Sequence, residues 1–278
     1  RPYSNTLIGV QLAHAGRKAS TDKPWNGGQL IDANEPNGWQ TIAPSAIAFY
    51  EKNPVPVAAT KNDIKEIVKD FTMAAKRAVR LGLDLIEIHA AHGYLIHQFL
   101  SPLSNLRTDS YGGSFQNRIK LLVEIFSAVR EVTPKDRAVG VRISATDWVE
   151  GGWDLSESIE LAKVLQELGC DFLHVSSGGA SPAQKIPVSA GFQVPFAEAI
   201  KKIVSMPVIT VGLITDANQA ENIINNNQAD AVALARGLLY NPHWIWHAAE
   251  TLNASVEIPP QYLRSEPYGS KPHLVQYR

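Results

Sequence analysis

From residue 60 onward the chain alternates between two hydrophobic spacings. Ile64, Ile67, Val68, Phe71, Ala75, Ala78 and Val79 share one face at helical spacing, and Thr60 with Asp63 supplies a capping-box start. That pattern predicts a helix over 61–81. Gly82 ends it, Asp84 follows, and the apolar run Leu85–Ile88 reads as a buried strand. The junction recurs. Gly169, Cys170 and Asp171 precede Phe172–Val175, and Gln228, Ala229 and Asp230 precede Ala231–Leu234. With Leu7–Leu12, Val139–Ile143 and Val208–Val211 the strands number six, and further helices are predicted near 115–132, 155–168, 195–204, 216–226 and 242–252.

Helix stop, Asp and apolar strand in repetition describe a βα array around a parallel sheet. Short, nearly all-apolar strands favour an α/β fold of the (β/α)8 TIM-barrel kind over an open sheet. Such a barrel has eight units, so the six counted here predict that the first two are missing. Residues 18–59 are rich in Gly, Pro, Asn and Trp without periodicity and predict a cap or lid beside the active face. Residues 254–278 carry four prolines and predict an extended C-terminal arm of the same single domain.

Composition narrows the setting. A formal charge of -1 over 278 residues gives no support for a nucleic-acid or anionic-membrane partner. One cysteine, Cys170, excludes an internal disulfide framework and fits a reducing, cytoplasmic setting. No apolar run reaches the length of a membrane span.

The candidate chemistry gathers at strand ends. Gln11 and His14 follow the first strand, His89, His92 and Tyr94 the second, and Ser176 to Gly179 the fourth. Two imidazoles and a phenol at that position suit an oxygen that gains negative charge beside an atom that takes a proton. Arg142, inside the strand Val139–Ile143, must be paired, with Glu87 as the candidate, or must face an anionic ligand. Gly212, with Ala235 and Arg236 on the next loop, fits a phosphate pocket, although glycines also make ordinary tight turns. His89, His92 and His97 lack the helical pairing and the carboxylate of a zinc site, so no metal is expected. Cys170 reads as inert packing, and His174 could face either the barrel mouth or the helices.

Several segments together resemble a known family. They are Gln11–Ala19, His89–Asn105, Arg107–Asp109 with Tyr111–Ser114, Val141–Ser144, Ser176–Gly178, Val211–Thr215 and Ala235–Arg236. In this order they resemble the old yellow enzyme family of FMN-dependent ene-reductases, in its bacterial-type branch. The resemblance implies FMN as cofactor, NADPH or NADH as reductant, and an activated alkene, an α,β-unsaturated carbonyl or nitro compound, as substrate. It implies that Gln11 and Arg142 contact the flavin ring and that Gly212, Ala235 and Arg236 hold its phosphate. His89 and His92 would bind the substrate oxygen, and Tyr94 would protonate the α-carbon. Arg264, in the segment Gln261–Arg264, would reach a neighbouring subunit's site in a dimer or tetramer. The family's first two strands have no counterpart here, which leaves room for a separate N-terminal segment that completes the barrel. Two alternatives stay open: a non-catalytic partial barrel that needs a partner chain, and an FMN-dependent isomerase.

Overall fold

The computed structural model describes residues 4–266, 268–269 and 273–276. In chain order its strands and helices are β1 (Gly9–Leu12), β2 (Ile42–Ala43), β3 (Val57–Ala58), α1 (Lys61–Arg80), β4 (Leu85–Ala90), α2 (Leu95–Leu100) and α3 (Phe115–Val132). Then follow β5 (Ala138–Ser144), α4 (Leu155–Glu167), β6 (Phe172–Ser176), α5 (Val194–Lys201), β7 (Val208–Val211), α6 (Ala217–Asn225) and β8 (Ala231–Ala233). The chain closes with α7 (Arg236–Tyr240), α8 (Trp244–Thr251), β9 (Val256–Ile258) and β10 (Leu274–Gln276).

Six strands form one parallel sheet in the order β1-β4-β5-β6-β7-β8. This is a parallel α/β half-barrel, and no β1–β8 pairing closes it among the described residues. The register fixes two faces. Gln11, Glu87 and Gly140 lie side by side, as do His89, Arg142, His174 and Ile209. Because strand side chains alternate, these positions share the inward face with Ser144 and Ser176. The opposite face carries Ile86, Ile88, Val139, Val141, Ile143, Leu173, Val175 and Val208, all in the main core cluster with Phe71, Phe99, Phe126 and Trp153. The apolar face thus packs against helices, and the polar face is left for chemistry.

The recurring Asp has a physical role. The Asp84 carboxylate accepts the Ile8 N–H at 2.8 Å while its own N–H donates to the Ile8 carbonyl at 2.8 Å. Asp171 does the same with Val139, at 2.7 and 3.0 Å, and Asp230 with Val208, at 2.8 and 2.8 Å. Each Asp also meets a cation: Arg137, Arg130 and Lys201 respectively. The side chain therefore staples the start of one strand to the start of its neighbour and sets the register that the inward face depends on.

Several boundaries differ from expectation. β4 runs on to Ala90, so His89 stands inside the strand rather than after it. β1 begins at Gly9, and the apolar Leu7 and Ile8 ahead of it are exposed. The segment Leu95–Leu100, not expected as a helix, forms α2 with all six residues buried. Residues 18–59 contain the two-residue parallel ladder β2–β3. The arm over 254–278 folds back, since Leu274 pairs with Val256 in a second short parallel ladder. Residues 267, 270–272 and 277–278 of that arm, and 1–3 at the start of the chain, lie outside the described residues.

Candidate active site

The turn after β4 is built around left-handed backbone: His92 has φ +58° and Gly93 φ +69°. Three contacts hold it there. The His92 N–H donates to Ser144 Oγ at 2.9 Å, the Gly93 N–H donates to His97 Nδ1 at 2.8 Å, and Lys18 Nζ donates to the His92 carbonyl at 2.9 Å. Lys18 also reaches the Gly179 carbonyl at 3.2 Å and lies over the rings of Phe49 and Tyr94. Beside it the buried Arg17 guanidinium donates to the carbonyls of Ile47, Ala48 and Ala180. These two cations bind the 45–50 region and the loop after β6 to the histidine turn.

His89, His92 and Tyr94 come together as expected. The His89 ring is 5.0 Å from that of His92 and 5.1 Å from that of Tyr94, both edge-on. The hydrogen bonds order the protons. Ala91 N–H donates to His89 Nδ1 at 3.1 Å, so the His89 proton is on Nε2, 3.2 Å from His92 Nδ1. His92 Nδ1 then accepts, and its Nε2–H faces Ser176 Oγ at 2.7 Å. Burial, then the Arg142 charge, lowers the pKa of His89 to about 4 and that of His92 to about 2. Both are neutral donors at physiological pH.

Arg142 faces inward beside His89, but it is not paired with Glu87 as one expectation had it. Glu87 is occupied by His174 Nδ1 at 2.9 Å and by the Gln11 amide at 2.5 Å. Burial works to raise the Glu87 pKa; the His174 hydrogen bond and charge, then Gln11 and Arg142, outweigh it and lower it. His174, left open by the sequence, therefore belongs to the inward face. Glu87 aligns with Gly140 and Gly140 with Phe172, so His174 reaches Glu87 diagonally, from two positions further along β6. The Arg142 guanidinium makes no ion pair or hydrogen bond among the described residues, and Arg142 Nε and His174 Nε2 are buried without partners. Buried polar atoms are nearly always paired, so two orphans on the polar face mark a place that takes a polar ligand.

The remaining candidates lie at the rim. Val211 and Ala233 are paired neighbours, so the loops starting at Gly212 (φ +121°) and Leu234 leave adjacent strand ends. Ala235 precedes α7 and Arg236 opens it, exposed and without a side-chain partner among the described residues. Gln11 is exposed on the edge strand. Arg264 is exposed after the turn Pro260–Tyr262 and contacts none of the other candidates. Cys170 is buried, and burial raises its thiol to about 12, in keeping with packing.

Sequence reasoning weighed His97 only as a metal ligand and gave no role to Lys18, Ser144, Asp147 or Gln193. His97 Nε2 lies 2.9 Å from Asp147 Oδ1, both side chains being fully buried, and Asp147 Oδ2 also accepts from Ser101 Oγ and the Trp153 N–H. The usable signal was a charged residue, Asp147, directly after the apolar strand Ala138–Ser144 and its short loop.

The family profile described as NADH:flavin oxidoreductase / NADH oxidase matches residues 3–255. The NADPH dehydrogenase of Listeria innocua serovar 6a is 46% identical over 263 residues, covering 95% of this chain and 72% of the relative. Among solved structures, morphinone reductase in complex with tetrahydroNAD is 31% identical with TM-score 0.68, over 88% of this chain and 67% of that one. The old yellow enzyme homologue from Zymomonas mobilis is 28% identical with TM-score 0.68, over the same shares. A 2-naphthoyl-CoA reductase gives TM-score 0.76 at 26% identity, with 38% of that chain covered. The inward polar face, the histidine turn and these likenesses agree: the chain belongs to the NADH:flavin oxidoreductase / NADH oxidase family of FMN-dependent, NAD(P)H-linked oxidoreductases.

Proposed function

We propose that this chain carries the site of an ene-reductase that acts on α,β-unsaturated carbonyl or nitro compounds. The observation that carries the reading is the grouping of His89, His92 and Tyr94 beside Arg142, whose Nε is buried without a hydrogen-bond partner among the described residues. The residues present fit FMN. Arg142, with its orphaned Nε, and Gln11 would meet the ring, and Gly212, Ala235 and Arg236 would hold the phosphate. Bound FMN would supply hydride to the β-carbon after reduction by NADPH or NADH.

The chain's own groups would do the rest. His89 and His92 would donate to the carbonyl or nitro oxygen and stabilise the charge that develops there. Their neutral state suits this, because a neutral donor aids the oxygen without surrendering its proton. Tyr94, next to His89, would deliver a proton to the α-carbon. Lys18 would keep the turn in place through the His92 and Gly179 carbonyls. Arg264 would act across a dimer or tetramer interface.

A second reading, that another polypeptide is needed, is favoured by one observation: among the described residues β1 and β8 are each paired on one side only. One experiment separates the two. The visible spectrum of the purified chain is recorded with FMN and then with phenol. A bound-flavin spectrum with a long-wavelength charge-transfer band on adding phenol is expected. Flavin bound without response to phenol would reject the oxygen-binding role, and no flavin binding would favour the second reading.

A further inference from the structure

The proton order of the histidine pair conflicts with its proposed task. In the described state one proton lies between His89 Nε2 and His92 Nδ1, 3.2 Å apart. Both nitrogens point at each other, so the pair satisfies itself and offers no free donor. To grip one oxygen with two donors, His92 must carry its proton on Nδ1, and its Nε2 must then accept.

Among the described residues, one group is within hydrogen-bond reach of His92 Nε2. Ser176 Oγ lies 2.7 Å away, on the last residue of β6 and almost fully buried. A hydroxyl can donate or accept at the same position by turning its hydrogen. Ser176 also has a second acceptor within reach, Gln193 Oε1 at 3.3 Å. That bond is long, whereas Ser177 Oγ donates to the same oxygen at 2.7 Å. Gln193 is held in one orientation, because its Nε2 donates to the Val211 carbonyl at 2.7 Å. The Ser176 hydrogen therefore has two destinations: Gln193 when His92 donates to Ser176, and His92 Nε2 when His92 accepts. Leaving Gln193 Oε1 costs little, since Ser177 still fills it.

Resting on the ene-reductase reading, we infer that the Ser176 hydroxyl is a positioning switch that sets which nitrogen of His92 carries the proton. Without a ligand it accepts from Nε2–H and leaves the histidines self-paired. When an anionic or carbonyl oxygen enters, it turns to donate to Nε2, and His89 Nε2–H and His92 Nδ1–H both point at that oxygen. The exchange is proton-neutral: one proton leaves Nε2 for water and one arrives at Nδ1 from water. Ser144 holds the His92 backbone N–H, so the turn keeps its place while the two rings tilt toward the oxygen.

The test is nitrogen NMR of histidine rings in the flavin-loaded full chain, with and without phenol, in the parent and in Ser176→Ala. The free parent is expected to show the His92 proton on Nε2, and the phenol complex to show it on Nδ1. Ser176→Ala is expected to bind phenol about threefold to tenfold more weakly, as for one lost hydrogen bond, and to lose the clean exchange. A parent complex with the proton still on Nε2 overturns the switch while leaving the substrate reading intact, and so does a Ser176→Ala chain with unchanged affinity and exchange. Failure of the flavin-loaded parent to bind phenol rejects the reading and the switch together.

Discussion

Gly93 and Gly179 meet back to back. A Cβ built on Gly93 would fall 2.0 Å from the Gly179 carbonyl oxygen, and one built on Gly179 would fall 2.4 Å from the His92 carbonyl carbon. Both backbones are left-handed, at φ +69° and +96°. The turn that carries His92 and the loop after β6 that follows Ser176 are thus locked by backbone contact, and neither can take a methyl without moving.

Gly179→Ala is accordingly expected to destabilise the chain by about 2–4 kcal/mol, from overpacking and left-handed strain together. Gly82→Ala offers a control, because it has positive φ but nothing within 4 Å of the added Cβ. Urea unfolding of both variants measures the difference. Equal losses would mean that strain alone, and not the contact with His92, sets the effect.

The histidine pair makes stability depend on pH with a definite sign. Against an ordinary value of 6.5, His89 sits at about 4 and His92 at about 2. The unfolded chain therefore takes up protons first as pH falls. Stability from these groups is full above 6.5 and declines below it, by up to about 1.4 kcal/mol per pH unit for each histidine. Urea midpoints at pH 7 and pH 5 should separate less in His92→Gln than in the parent. An unchanged separation would contradict the assignment.

Lys18 titrates unusually low, at about 8, through burial and then the adjacent Arg17 charge. Its ammonium ties the carbonyls of His92 and Gly179, so catalytic turnover should fall as pH rises through about 8. Lys18→Arg should remove that inflection, because an arginine stays charged far higher. Persistence of the inflection at the same pH would assign it to another group.

The buried pair of His97 and Asp147 supports the same turn from behind. Asp147→Ala is expected to cost about 3–5 kcal/mol, since it strands a buried partner and also leaves the Trp153 N–H and Ser101 hydroxyl without their acceptor. Asp147→Asn, which can still accept, should cost less. Thermal unfolding checks the order of the two, and the reverse order would show that accepting from Ser101 and Trp153 is not what Asp147 contributes.

The Asp staples predict a shared effect at distant points. Asp171→Ala removes the acceptor of the Val139 N–H and the partner of Arg130 and should cost about 1–2 kcal/mol. Asp230→Ala should match it through Val208 and Lys201. Denaturant midpoints for both variants test this, and a loss at only one would end the idea of a common device.

The sequence by itself determined the order of the six sheet strands and of the longer helices between them, the parallel α/β class, and most helix bounds. Those follow from local periodicity and caps: Thr60 and Asp63 do form the capping box that starts α1, and Gly82 follows its end. It also determined the family, and it placed His89, His92 and Tyr94 together because all three lie within the six consecutive residues from His89 to Tyr94. α2 escaped because it is only six residues long, too short for a helical period to show, and its two polar residues, His97 and Gln98, are buried with the rest.

Tertiary structure alone decided who meets whom across the sheet. Ser176 reaches His92 across 84 positions, His174 reaches Glu87 across 87, and Lys18 reaches Gly179 across 161. Arg142 and Glu87 sit on the same inward face, so sequence chemistry allowed their pairing. The fold gave Glu87 to His174 instead, whose Nδ1 lies 2.9 Å from its carboxylate from two strands away. A one-residue slip would have sent all of these groups to the helices, and only the paired strands, fixed at their starts by Asp84, Asp171 and Asp230, rule that out.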